Sequence, residues 1–161
     1  MEEQEVSTEH LQDIIHEYGH HAAWSEKVAL TTALLAMMAA VSNLLSTHES
    51  DRAIQLKVDA SDRWSYYQAK SIKGMITPEA AEKARYREEQ EQIRKEAEAF
   101  SSESKHATHI HEFFAYAVTI FQVATAIGAI AVLIMKRSFW YASIALGAIG
   151  LGLALRAILL L

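Results

Sequence analysis

The sequence predicts an all-α membrane protein: three transmembrane helices, with a protruding antiparallel helical hairpin between the first and the second. Three observations lead there. Residues 28–45 and 113–135 carry no charged side chain, and residues 139–161 carry only Arg156. A bilayer core of ~30 Å takes about 20 helical residues, with a range of roughly 17–25, so all three runs are long enough, the first barely. The long polar stretch between the first two runs contains a single strong turn signal, Gly74-Met75-Ile76-Thr77-Pro78-Glu79, near its middle. After that turn Tyr86, Gln90, Ile93, Ala97, Phe100, Ser104, Ala107, His111 and Phe114 follow alternating steps of four and three, the 3.5-residue repeat of a coiled coil.

Composition narrows the function classes. Hydrophobic residues make up 51% of the chain and charged residues 22%, and the two are segregated rather than mixed. The net charge of −5 argues against nucleic acid, which would favour a basic stripe. There is no cysteine, so disulfides and thiol chemistry are excluded. The first 27 residues hold seven acids and one base, the reverse of the basic start of a cleavable signal peptide.

In chain order, residues 1–27 read as an acidic, histidine-containing amphipathic helix or tail. Val6, Leu11, Ile14, Ile15 and Tyr18 recur at near-helical spacing, Ser7 is the candidate N-cap and Gly19 a weak point. Trp24 and Lys27 lead into the first span, 28–45, as interfacial anchors. No strong breaker follows until Gly74, so the helix continues into the extramembrane hairpin, 46–112, with its turn at 74–78. There Gly74 is expected to end the incoming helix, Thr77 to cap the next and Pro78 to take its first position. Each arm of roughly 30 residues would reach about 45 Å. The second span, 113–135, runs straight on and is entered through Phe113, Phe114 and Tyr116. Lys136-Arg137-Ser138 turns the chain, and Phe139-Trp140-Tyr141 marks re-entry for the third span, 139–161. Ser143 with Gly147, Ala148 with Gly152, and Ala124 with Gly128 place small residues four apart, which permits close helix approach. That approach serves packing within the chain or contacts in an oligomer. Three spans put the N-terminus and Lys136-Arg137 on one side. The short basic loop favours a cytoplasmic N-terminus and an extracytoplasmic hairpin.

The hairpin's outgoing arm carries the most distinctive stretch, residues 59–73. Its Trp64-Ser65-Tyr66-Tyr67-Gln68-Ala69-Lys70-Ser71-Ile72-Lys73 run, after one apolar segment and before an apolar pair, resembles a bacterial membrane family, domain of unknown function 4337. The resemblance extends from about Trp24 to the C-terminal apolar pair. It implies an integral membrane protein of the bacterial inner membrane, and it brings no activity, ligand or catalytic residue with it. On the helix, Trp64, Tyr67 and Ser71 share one face, and Arg63, Tyr66 and Lys70 another. Trp64 over Arg94 is a candidate cation–π pair. Trp64, Tyr67, Tyr86, Ile93 and Phe100 are the expected packing or assembly residues.

Three features invite chemistry. His16-Glu17-Tyr18-Gly19-His20 fits the H-E-x-x-H pattern, in which two histidines on one face hold zinc and the glutamate activates water. Here it lies in an acidic tail with no core around it, and His10 and His21 nearby make a solvated histidine face the competing reading. Glu103-x-x-His106 has di-iron spacing, but its only counterpart, Glu17-x-x-His20, lies across the first span, so one chain cannot join them. The antiparallel arms instead bring His48 and Glu49 toward Glu103, His106, His109, His111 and Glu112. That set would suit zinc or another first-row metal, or a response to acid, against a plain polar seam. Arg156, the lone charge of the third span, is expected to snorkel, to pair with Glu112 or Glu49, or to line an oligomeric pore. No nucleophile–base pair, phosphate loop or paired catalytic carboxylate is present, so no enzymatic activity is expected. The expected function is an oligomeric scaffold or interaction module in the lipid bilayer, acting through the hairpin on further copies or another protein. The alternative is an oligomeric channel or transporter-like pore, and a metal-dependent hydrolase through His16-Glu17-x-x-His20 stands third.

Overall fold

The computed structural model describes residues 8–161, with side chains from Trp24 onward. Among the described residues there are three helices and no strand: α1 (Thr8–Ile76), α2 (Ala80–Leu133) and α3 (Arg137–Ile158). All three are long and apolar enough to cross a membrane. The sole proline, Pro78, lies between α1 and α2, so neither long helix loses an internal hydrogen bond to it. Gly19 lies inside α1, which runs through it. Val6 and Ser7, and the side chains of Leu11, Ile14, Ile15 and Tyr18, lie outside the described residues.

The link between α1 and α2 differs from the expected capping. Gly74 stands inside α1 without a positive φ, so it does not end the helix. Thr77 closes it instead: its N–H and its hydroxyl both donate to the Lys73 carbonyl, at 3.1 and 2.8 Å. The first bond of α2 runs from Lys83 N–H to the Glu79 carbonyl, which makes Glu79 the cap residue and leaves Pro78 just outside. A Cβ on Gly74 would meet only Tyr86 Cβ, at an ordinary 3.7 Å. Gly74→Ala is therefore expected to stabilise the fold by about 0.5–1 kcal/mol through helix propensity, read as a higher midpoint in chemical unfolding.

The α2–α3 link is shorter and tighter. Met135 N–H bonds to the Val132 carbonyl and Lys136 N–H to the Ala131 carbonyl, the bond pair of a Schellman turn. Met135 occupies the left-handed position at φ 53°, where glycine is usual. The turn thus falls at residues 134–136 rather than 136–138, and Arg137 opens α3.

The segments form two compact units. The first comprises Met1–Val41 and Tyr116–Leu153. Its core joins Trp24, Val28 and Ala131, with Val132 and Trp140 against them. Trp24 and Trp140, expected as lipid-facing anchors, are corrected here: Trp24 is only 7% exposed, and the half-buried Trp140 donates its indole N–H to Thr31 Oγ1 at 3.0 Å. Phe139 and Tyr141 stay exposed. The small residues do their work inside this unit. Ser143 Oγ donates to the Ala124 carbonyl at 2.6 Å, and Gly128 and Gly147 leave no room for a Cβ beside Thr32 and Leu35. Ala148 and Gly152 are exposed, and a Cβ on Gly152 would meet nothing within 4 Å.

The second unit comprises Ser42–Ala115 and Ala154–Leu161. Contacts between α1 and α2 here pair Ser46 with His111, Ala53 with Ser104, Arg63 with Glu96, and Lys70 with Glu89. One number rises as the other falls, so the two stretches run antiparallel. Every position of the seam from Tyr86 to Phe114 is buried or half-buried. The facing stripe of α1 is Ser42, Ser46, Glu49, Ala53, Leu56, Ala60, Trp64, Tyr67, Ser71 and Gly74. Small side chains dominate the α1 stripe, whereas the α2 seam sets Ala97, Ser104 and Ala107 among the larger Tyr86, Ile93, Phe100 and Phe114. Near one end Ile110, Phe114 and Ala157 form a buried cluster, with Leu45, Phe113 and Leu160 packed around it.

Candidate functional site

The densest array of polar side chains lies in the second unit. At one end, Lys70 donates to Glu89 across the seam, with its ammonium 5.4 Å from the Tyr66 ring centroid and 5.3 Å from that of Tyr86. The Glu89 hydrogen bond, the largest influence, raises the Lys70 pKa above its ordinary 10.5, and Tyr66 adds to it. The same bond lowers Glu89 below 4.5, helped by Arg85 at 3.2 Å. Trp64 meets Tyr67 edge-on at 5.7 Å. Trp64 does not hold Arg94, which is taken by Glu91 and Glu98 on its own helix, the nearest N–O distances being 2.7 and 3.1 Å. Trp64, Tyr67, Tyr86, Ile93 and Phe100 are seam residues, all at least half-buried within the chain.

These shifts set a pH dependence. Glu89, depressed in the folded state, contributes stability above its ordinary pKa and loses it as pH falls through the lowered value. Lys70, raised, contributes fully below its ordinary pKa and loses it as pH rises through the higher one. The pairing is thus complete across the neutral range and released in acid or strong alkali. Amide exchange over residues 64–92 is expected to accelerate below the usual carboxylate range, and Lys70→Met should remove that acid step.

At the other end the histidines do not converge. At about 100° per residue, His111 stands about 200° round the helix from His109. His111 is half-buried, and its Nδ1–H donates to the Ser46 carbonyl at 2.8 Å, with the Ser46 hydroxyl 3.0 Å from the same nitrogen. His106 and His109 point outward: His106 Nε2 donates to the Leu160 carbonyl at 3.1 Å, and the His109 ring meets Phe113 edge-on at 4.9 Å. His48, Glu103 and Glu112 are exposed. Among the described residues, no group of three or more histidine and carboxylate side chains is placed to hold a metal. The expected cluster of His48, Glu103, His106, His109 and His111 is therefore not assembled. The side chains of His10, His16, Glu17, His20 and His21 lie outside the described residues.

Two features escaped the sequence reading. Glu49 is 3% exposed, and its Oε2 accepts no hydrogen bond; Arg52, one turn on, stands 3.7 Å away. Arg156 makes no ion pair with Glu49 or Glu112 among the described residues, and instead lies over the Phe113 ring at 4.8 Å. In the first unit, an apolar groove of about 310 Å³ between Thr31, Leu35, Phe121 and Ile144 holds no titratable side chain.

The architecture defines an all-helical chain with three helices fit to span a bilayer and a polar antiparallel pair of helical stretches. A family model for a domain of unknown function (DUF4337) matches residues 24–83 and 75–160. The chain belongs to that family. Among curated proteins and solved structures, none matches.

Proposed function

We propose that the chain is an integral membrane protein that self-assembles, with residues 46–112 as an extramembrane hairpin whose outgoing arm is the assembly surface. The observation that carries this reading is an asymmetry of exposed apolar side chains. Ile54, Val58, Tyr66, Ile72, Met75 and Ile76 are exposed on that arm, whereas residues 77–115, the returning arm included, expose no large apolar side chain. Isolated exposed apolar residues are ordinary, but six on one arm and none opposite mark a face awaiting cover. The α1 stripe of mainly serine, alanine and glycine supports it, since an arm that presents small side chains to its neighbour gains most from a further contact. The exposed Ala148 and Gly152 add a small-residue face on α3 of the kind that packs helices in lipid.

This differs from an assembly surface built on Trp64 and Tyr67, which are spent on the seam. The test is light scattering in mild detergent on the wild-type chain and on Ile54→Glu with Val58→Glu. An oligomer that dissociates in the double variant supports the reading; a wild-type monomer, or an oligomer indifferent to the change, overturns it.

A further inference from the structure

We propose that Arg156, held on the Phe113 ring beside His109, is a binding site for the phosphate of a bilayer phospholipid with an anionic headgroup. The inference rests on the membrane reading above. Arg156 lies in the last turn of α3 and is exposed, and its guanidinium carbon stands 4.8 Å from the Phe113 ring centroid. That ring is itself braced edge-on by His109. No carboxylate, carbonyl or hydroxyl among the described residues accepts from Arg156. A guanidinium carries five N–H donors in a planar fork, and stacking on an aromatic face fixes that plane while leaving its edge open. The acceptor that matches such a fork is a phosphate, bound by two parallel hydrogen bonds.

The position selects the source of that phosphate. Phe113 begins the uncharged stretch of α2, and Glu112, Lys105 and the histidines precede it, so the ring marks the boundary between apolar and polar sequence. Lipid phosphates lie at that level, and an arginine in the last turn of the helix reaches it. His106, bonded to the Leu160 carbonyl, ties the end of α3 to α2 and keeps Arg156 over Phe113. His109, exposed beside the ring, and Lys105, exposed about two turns back along α2, favour a lipid whose phosphate charge is not offset by a choline cation.

Ordinary snorkelling and a built site make different demands. Any long cation can snorkel, whereas a fork stacked on a ring needs arginine. Native mass spectrometry of the detergent-solubilised chain, titrated with phosphatidylglycerol and with phosphatidylcholine, reads the difference. The wild type is expected to retain phosphatidylglycerol in preference to phosphatidylcholine. Arg156→Lys and Phe113→Leu should each weaken that retention by about tenfold, the loss of roughly one charge-assisted bond. Full retention by Arg156→Lys would reduce the site to snorkelling and overturn the proposal. Displacement of the lipid by millimolar inorganic phosphate would overturn the lipid as the ligand. Carbonate extraction of membranes keeps the two readings apart: a chain washed out by carbonate defeats membrane integration, whereas a retained chain with unselective lipid binding defeats only this site.

Discussion

Replacing Gly128 by alanine is expected to destabilise the first unit by about 1–3 kcal/mol, although alanine is the better helix former. The new Cβ would collide with Thr32 Cγ2 and stand 3.1 Å from Ser143 Oγ. Neither neighbour gives way cheaply. Thr32 has its hydroxyl bonded to the Val28 and Ala29 carbonyls at 3.0 and 2.9 Å, which fixes its χ1 and hence its methyl. Ser143 is held by its bond to Ala124. Thr32→Ser removes the obstructing methyl and keeps the hydroxyl, so adding it to Gly128→Ala should recover most of the loss. Equilibrium unfolding in mixed micelles, run as a double-mutant cycle, checks this, with an expected coupling of about 1 kcal/mol or more. Additive effects would mean that the helices can separate there at no cost.

Glu49→Leu is expected to do the reverse, stabilising the second unit by about 1–3 kcal/mol. The carboxylate is buried, one oxygen accepts no hydrogen bond, and the nearest cation is too far for one. Removing a buried carboxyl group with an unpartnered oxygen eliminates its desolvation cost, and leucine keeps similar volume against the neighbouring Ala53 and Ser46 stripe. Glu49→Gln should give a smaller gain, because an amide there must still find partners. A thermal melt in detergent orders the three. If leucine instead lowers stability, the carboxylate is needed in the seam and the expectation fails.

The parts legible in the sequence were those that repeat. Uncharged runs of membrane length and a heptad over residues 86–114 carry their signal in many residues at once, and all nine seam positions are covered. The matching stripe on α1 was hidden, because Ser42, Ser46, Glu49, Ala53 and Ala60 are small or polar and leave no mark in hydropathy. Their burial follows from register with α2, which no local pattern encodes. Aromatic residues misled for a related reason. Trp24 and Trp140 have the composition of interfacial anchors, yet the small Ala131 and Val28 beside them leave a hollow that indoles fill. The histidines misled through proximity in sequence: His106, His109 and His111 are close along the chain and splayed around the helix. The resemblance carried by residues 59–73 identified the family and said nothing of the site, since those residues are spent on holding two helices together.

The three-residue Schellman turn between α2 and α3 bears on how the chain can be tagged. Its two backbone bonds and its left-handed Met135 leave no slack at residues 134–136. A reporter or epitope inserted there would break both bonds and uncouple the helix ends, and so measure the damage it caused. The link at residues 77–79 sacrifices little: Thr77 already terminates α1, and the first bond of α2 begins at Glu79. Sidedness is best mapped by insertion after Pro78, with single-residue chemical labels reserved for the tighter turn.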